Sequence, residues 1–407
     1  MIESGGETKV LSHHCDWLEV TCTVPQVPLL MHFAAQPGLD ADGQPESACL
    51  LERDLRRRKK ALSEDDPPDW WIWGEGDDRE HVRLRHSALR PSHAFAAETN
   101  DWILHIAPSR SVIPRLTFQL RASYLLRVGP LAAFRAVKKW AERQVIVKIN
   151  GTAPGESPEW KISRIDLAAD IAGIEFKPRD LERLTSRAIY RRSHHPDDNS
   201  AIEHHRGRVF TGFSIGKRGA PLHARIYLKT READDDAFIR DEWERNGYDS
   251  ARDGEVWRVE FEIRRKLLRE LERSDEAGLS NDPEENLIDD LDDLWNYCVD
   301  EWLVLRAKKG SKRMTRRATE QWWASLAQLE GLSGSGKESK PLARRSARPA
   351  QADKQLDRAL TSLVGYAVST GTNDFGQVAA ELADFVEGRG GATGFSRRVI
   401  QRRGSPE

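Results

Sequence analysis

Apolar and polar residues alternate with a period of two in three separate stretches, the spacing of strands that bury one face. Residues 161–171 put Ile165, Leu167, Ala169 and Ile171 on one side and Arg164, Asp166, Ala168 and Asp170 on the other. In residues 223–229, Ala224, Ile226 and Leu228 oppose His223, Arg225, Tyr227 and Lys229. Residues 256–264 set Trp257, Val259, Phe261 and Ile263 against Arg258, Glu260, Glu262 and Arg264. Matching alternation predicts that the three strands share one sheet. Such a sheet would gather Asp166, Glu260, Glu262 and Tyr227 on one surface.

Further strands are expected at 15–24, 102–106, 115–120 and 144–149, where β-branched and aromatic residues concentrate. Helical spacing is present at 129–143 and 179–192. It recurs at 286–305, where Leu287, Leu291, Leu294, Trp295 and Trp302 fall on one stripe. The pattern predicts an α+β fold, an antiparallel or mixed sheet forming a catalytic core with packed helices. Residues 1–10 read as a disordered tail and 11–330 as the main domain, with a mobile basic insertion at about 35–69. The Gly/Ser/Pro/Arg-rich stretch 331–355 reads as a flexible linker, followed at 356–407 by a small helical segment and a basic tail.

A chain of 407 residues is long enough for more than one domain, which argues against a single small binding module. The 63 Lys and Arg nearly balance 65 Asp and Glu, so any nucleic-acid surface must be built from local patches. Such patches occur at 53–60 (RDLRRRKK), 306–317 (RAKKGSKRMTRR) and 397–403 (RRVIQRR). The four cysteines form no CxxC pair and no secretory signal is evident, so a reducing cytoplasm is expected, with no membrane span. No GxxxxGK[ST] loop is present, so no intrinsic ATPase is suggested.

The shared polar surface has the parts of a phosphodiester-cleaving site. Carboxylate oxygens of Asp166, Glu260 and Glu262 suit Mg²⁺ or Mn²⁺, and Tyr227 can supply an attacking oxygen, forming a covalent phosphotyrosine. Arg225 and Lys229 would stabilise the phenolate and hold the DNA backbone. The competing reading is a solvated strand face laced by cross-strand Arg/Glu pairs. The histidines come only as adjacent pairs, His13 with His14, His194 with His195 and His204 with His205, in polar contexts that read as solvated loops. Neighbours on a strand face opposite ways, so no pair chelates one ion without a bulge.

The segments SRIDLAADI (163–171), GFSIGKRGAPLHARIYLKTRE (212–232) and VWRVEFEIRR (256–265) resemble the replication initiation factor family. That family includes rolling-circle plasmid initiators and related proteins of phages and integrative elements. The resemblance runs through FQLRASYLLRVG (118–129) and the tryptophan-rich segment beyond 294, covering about residues 11–330. It implies DNA replication initiation by a site-specific endonuclease, a nickase in which Tyr227 becomes joined to the 5′ end of the cut strand. The free 3′ hydroxyl then primes synthesis. Asp166 and Glu260, with Glu262, are the matching metal-binding candidates. Leu228 stands where the family often has Asp or Asn, a departure that removes one polar neighbour.

DNA contacts are expected at Lys217, Arg218, Arg258, Arg313, Arg316 and Arg317. Implied partners are an origin hairpin or single-stranded nick site, host helicase and polymerase, and a second copy in a homodimer. A relaxase of a mobile element would use the same chemistry. A DNA-binding regulator on the same fold would not use it at all.

Overall fold

The computed structural model describes residues 8–23, 59, 70–73, 79–85, 95–107, 115–143, 158–186, 201–232, 237–273, 279–280, 282–333, 340–344, 347–372, 374–388 and 391. Two compact units are present, Met1–Ala343 and Arg344–Glu407. The first is α+β, built on an eleven-stranded sheet. Its strands are β1 (Lys9–Thr23), β2 (Trp70–Trp73), β3 (Glu80–Leu84), β4 (Phe95–Glu98), β5 (Trp102–Ile106), β6 (Arg115–Leu120) and β7 (Glu159–Ala172). A short strand β8 (Leu184–Ser186) pairs elsewhere, with Leu303–Leu305. The large sheet continues with β9 (Ala201–Arg206), β10 (Val209–Ile215), β11 (Leu222–Leu228) and β12 (Trp257–Arg264). Across the sheet the order is β2-β3-β4-β5-β6-β1-β7-β12-β11-β10-β9.

The period-two pattern decides which face is buried. Ile165, Leu167, Ala169 and Ile171 of β7 join Val259, Phe261 and Ile263 of β12 and Ala224, Ile226 and Leu228 of β11 in one core. Helices cover this face. Pro130–Ala141 brings Phe134 and Trp140 onto it, Trp140 lying 5.0 Å from Trp102 and Phe134 lying 5.7 Å from Trp160 between ring centroids. The run 283–302 supplies Leu287, Leu291, Leu294, Trp295 and Trp302, all buried, with Trp295 5.6 Å from Phe261. Each such buried large apolar side chain contributes about 1.5–3 kcal/mol.

Several expected elements differ in form. The 286–305 helix ends at Trp302, contains two π-helical segments and gives way to the strand Leu303–Leu305. Of the helix expected over 179–192, the described part is a 3₁₀ turn, Pro178–Arg183, followed by β8, because Pro178 starts the turn and Asp180 ties back to the Lys177 amide, while residues 187–192 lie outside the described residues. The first strand starts at Lys9, six residues before the expected Cys15. The expected strand at 144–149 and all of the basic segment 53–60 except Lys59 lie outside the described residues. In the second unit helices span Ala347–Thr370 and Phe375–Glu387, the first beginning within the stretch read as a linker.

His13 and His14 are not in a loop. They lie on β1 and face opposite ways: His13 packs 4.7 Å from Trp295, and His14 turns to the polar face beside Asp16. His204 and His205 likewise lie on β9, with His205 5.6 Å from Phe210.

Candidate active site

Antiparallel pairing places β7, β12 and β11 side by side, so the three alternating stretches do share one polar face. Register then fixes rows of neighbours. One row reads His204, Gly212, Tyr227, Arg258, Asp170 and Ser12 across β9, β10, β11, β12, β7 and β1. The next reads Ile202, Ser214, Arg225, Glu260, Ala168 and His14. A third contains His223, Glu262, Asp166 and Trp17. Residues next to each other in a row, or two apart on one strand, are within side-chain reach.

Tyr227 is half-buried, and its hydroxyl donates to Glu260 Oε2 at 2.9 Å. Arg225 donates to the other Glu260 oxygen. The Arg225 guanidinium and the Lys229 ammonium lie 5.5 Å and 5.8 Å from the Tyr227 ring centroid. Burial and the Glu260 carboxylate push the phenol well above its ordinary range, against the pull of Arg258 and Arg225. Tyr227 therefore holds its proton at rest, with the Glu260 carboxylate in contact as its hydrogen-bond acceptor.

Gly212 lies directly across from Tyr227 at a β-bulge, with φ +148°. A Cβ there would stand 2.1 Å from the Ile226 carbonyl oxygen and 2.8 Å from the Tyr227 Cα. Glycine lets β10 approach the β11 backbone closely beside the tyrosine. Gly212→Ala should lower stability by on the order of 1–3 kcal/mol, since backbone must move. Thermal melts of the two proteins check this, and equal midpoints would refute it.

The three carboxylates are not free. Arg164 donates from Nε and Nη2 to the two Asp166 oxygens and reaches Glu262 at 3.1 Å. Arg264 holds Glu262 at 2.6 Å. Among the described residues no set of three His, Cys, Asp or Glu side chains is spaced to hold a metal ion. The donor chemistry nonetheless suits a hard divalent cation. Asp166 is pushed up to about 8 by burial, with Glu260 and Glu262 adding to the effect and Arg164 opposing it.

A folded-state value raised from 3.8 to about 8 means the folded chain binds the extra proton between those limits. Stability conferred by the protonated form is therefore lost as pH rises through that window. Asp166→Asn should lose less stability than the parent between about pH 5 and about pH 8. Parallel pH slopes in urea unfolding would refute the assignment.

A groove of about 990 Å³ opens over this end of the sheet. Among its described lining residues the bases Arg164, Arg206, Lys217, Arg218, Arg225, Arg231 and Arg264 face only Glu232 and Glu262 as acids. This balance favours a polyanion. Lys217 and Arg218, expected as DNA contacts, line it. Arg313 and Arg316 are exposed in the loop after Leu305, whereas Arg317 binds the Ser311, Ala307 and Lys308 carbonyls of that loop. Arg258, expected as a DNA contact, is 1% exposed and cannot meet a DNA backbone. Its guanidinium binds Asp170 at 2.6 and 2.8 Å and Asp16 at 2.5 Å. Asp170 also accepts from Ser12 and Trp243.

Ser12, His14 and Asp16 escaped sequence reasoning because the bulge at Asp16 breaks the alternation of β1. His204 and Ser214 escaped because the β9–β10 hairpin went unrecognised. Its signal was Gly207, which takes φ +64° in the turn between them.

No protein-family model matches the chain, and no curated protein matches it. Among solved structures it is similar to the rolling circle replication initiator protein from Geobacillus stearothermophilus. Identity is 13% and the TM-score 0.38, over 81% of this chain and 100% of that one. A likeness this distant carries no weight for the chemistry of the site, which stands on the residues themselves.

Proposed function

We propose that the chain is a DNA strand transferase that starts rolling-circle replication by nicking one strand through Tyr227. The observation that carries this reading is the Tyr227 hydroxyl bonded to Glu260 at 2.9 Å, beside Arg225 and Lys229, in the wall of a basic groove. Among the described tyrosines that groove is lined by Tyr227. Tyr248 and Tyr366 spend their hydroxyls on Gly254 and Glu381, and Tyr297 is buried in the core.

In this reading Lys217, Arg218 and Arg231 bind backbone phosphates and Arg225 neutralises the scissile phosphate. Tyr227 Oη attacks phosphorus as its proton passes to Glu260, and the bond to the 3′ oxygen breaks. The products are a 5′-phosphotyrosine and a strand ending in a 3′ hydroxyl. Asp166 and Glu262, with Glu260 beside them, would hold Mg²⁺ or Mn²⁺, which supplies charge neutralisation at the phosphate when bound.

The test is direct. Purified protein is incubated with Mn²⁺ and labelled single-stranded oligonucleotides tiling the DNA that encodes it. A covalent adduct whose peptide map places the nucleotide on Tyr227 is the expected result. DNA binding with no adduct anywhere in the tiling would favour a regulator on the same fold.

A further inference from the structure

In-line phosphoryl transfer puts the leaving oxygen on the side of phosphorus opposite the nucleophile. The register identifies what stands opposite Tyr227. Gly212 is its neighbour on β10 and His204 is the next on β9, so a residue with no side chain separates the tyrosine from a histidine. Two strand spacings put those backbones about 10 Å apart. Tyr227 and His204 both line the one groove, so a strand bound there passes both side chains. His204 is exposed to the groove and lines it. Its Nε2 is bonded to Ser214 Oγ at 2.6 Å, which fixes the ring and leaves Nδ1 for a ligand.

We propose that His204 is the general acid for the leaving 3′ oxygen, a role that rests on Tyr227 being the nucleophile. Proton and bond changes then balance. The Tyr227 oxygen bonds to phosphorus and its proton moves to Glu260. The phosphorus to 3′ oxygen bond breaks, and the electron pair left on that oxygen takes a proton from the His204 imidazolium. Rejoining runs the same path backwards: neutral His204 accepts the proton of an incoming 3′ hydroxyl, and Glu260 returns its own to Tyr227. Histidine is the side chain able to serve both directions near neutral pH. Ser214 is a positioning residue, acting through the ring it holds.

The experiment compares the full-length chain with His204→Asn and Ser214→Ala on two single-stranded substrates carrying the same nick site. One has the natural 3′ oxygen at the scissile bond and the other a bridging 3′ sulfur, which departs as a thiolate without a proton. His204→Asn should slow cleavage of the oxygen substrate by about 10²-fold or more. It should cleave the sulfur substrate within a few-fold of the parent, and Ser214→Ala should show the same pattern more weakly. An equal loss on both substrates would make His204 a binding residue and overturn the proposal, as would undiminished cleavage of the oxygen substrate. Thermal melts confirm that the variants are folded, which an exposed edge-strand position favours. A parent chain that cleaves neither substrate refutes the nickase reading itself, a failure visible without any variant.

Discussion

Tyr227→Phe should abolish the covalent protein–DNA adduct and leave the protein folded. The substitution removes one oxygen, the only atom of this side chain able to attack phosphorus, so no residual adduct at this site is expected. The structural cost is small. Glu260 loses a hydrogen bond from Tyr227 but keeps its bond from Arg225, so stability should fall by about 1 kcal/mol. Affinity for single-stranded DNA should survive, because the groove cations are untouched. Adduct yield, a melting curve and a binding isotherm on the same preparation separate these effects. An adduct of equal yield in the variant would move the nucleophile to another residue.

The largest stability effect is expected at Arg258. Arg258→Met leaves Asp170, 0% exposed, and Asp16 facing each other without their cation. Removing one partner of such a buried pair costs about 3–5 kcal/mol, because the remaining charge stays in a low dielectric. Pairing the change with Asp170→Asn should recover part of that loss. The pH dependence gives a second check. Burial opposes ionisation of both acids, yet Arg258 foremost holds Asp170 below the usual carboxylate range and Asp16 well below it. Depressed values mean that their contribution is present above the ordinary value of 3.8 and is lost as pH falls below it. Without Arg258 the sign reverses: the two acids can be protonated, so the deficit of the variant should shrink as pH falls. Urea midpoints for both proteins across the acid range decide it, and a deficit independent of pH would refute the pairing.

Arg258 also marks where sequence reading and structure part. Its position on the charged side of β12 follows from alternation, and that much is right. Alternation places a side chain on a face without saying what covers that face. Here the helix Ala237–Arg245 lays Trp243 over Asp170, and β1 brings Asp16 alongside, so an expected DNA contact becomes a buried cation. Lys217 and Arg218 are exposed in the β10–β11 turn and, as expected, line the groove.

The period-two pattern by itself determined the α+β core, the faces of β7, β11 and β12, and the company of Tyr227 with Arg225, Glu260 and Glu262. It could do so because burying one face of a sheet imposes a constraint that each strand carries locally. The stripe Leu287, Leu291, Leu294, Trp295 and Trp302 was legible for the same reason, the helical period being as local as the strand's. Tertiary structure alone decided the order of the strands and hence the rows. Pairing partners lie far apart in sequence, and bulges at Asp16 and Gly212 shift register in ways no repeat announces. It decided that Arg164 stands between Asp166 and Glu262, and that His204 faces Tyr227 across a glycine. Both are relations between strands, and a sequence specifies the faces of its strands more strongly than their neighbours.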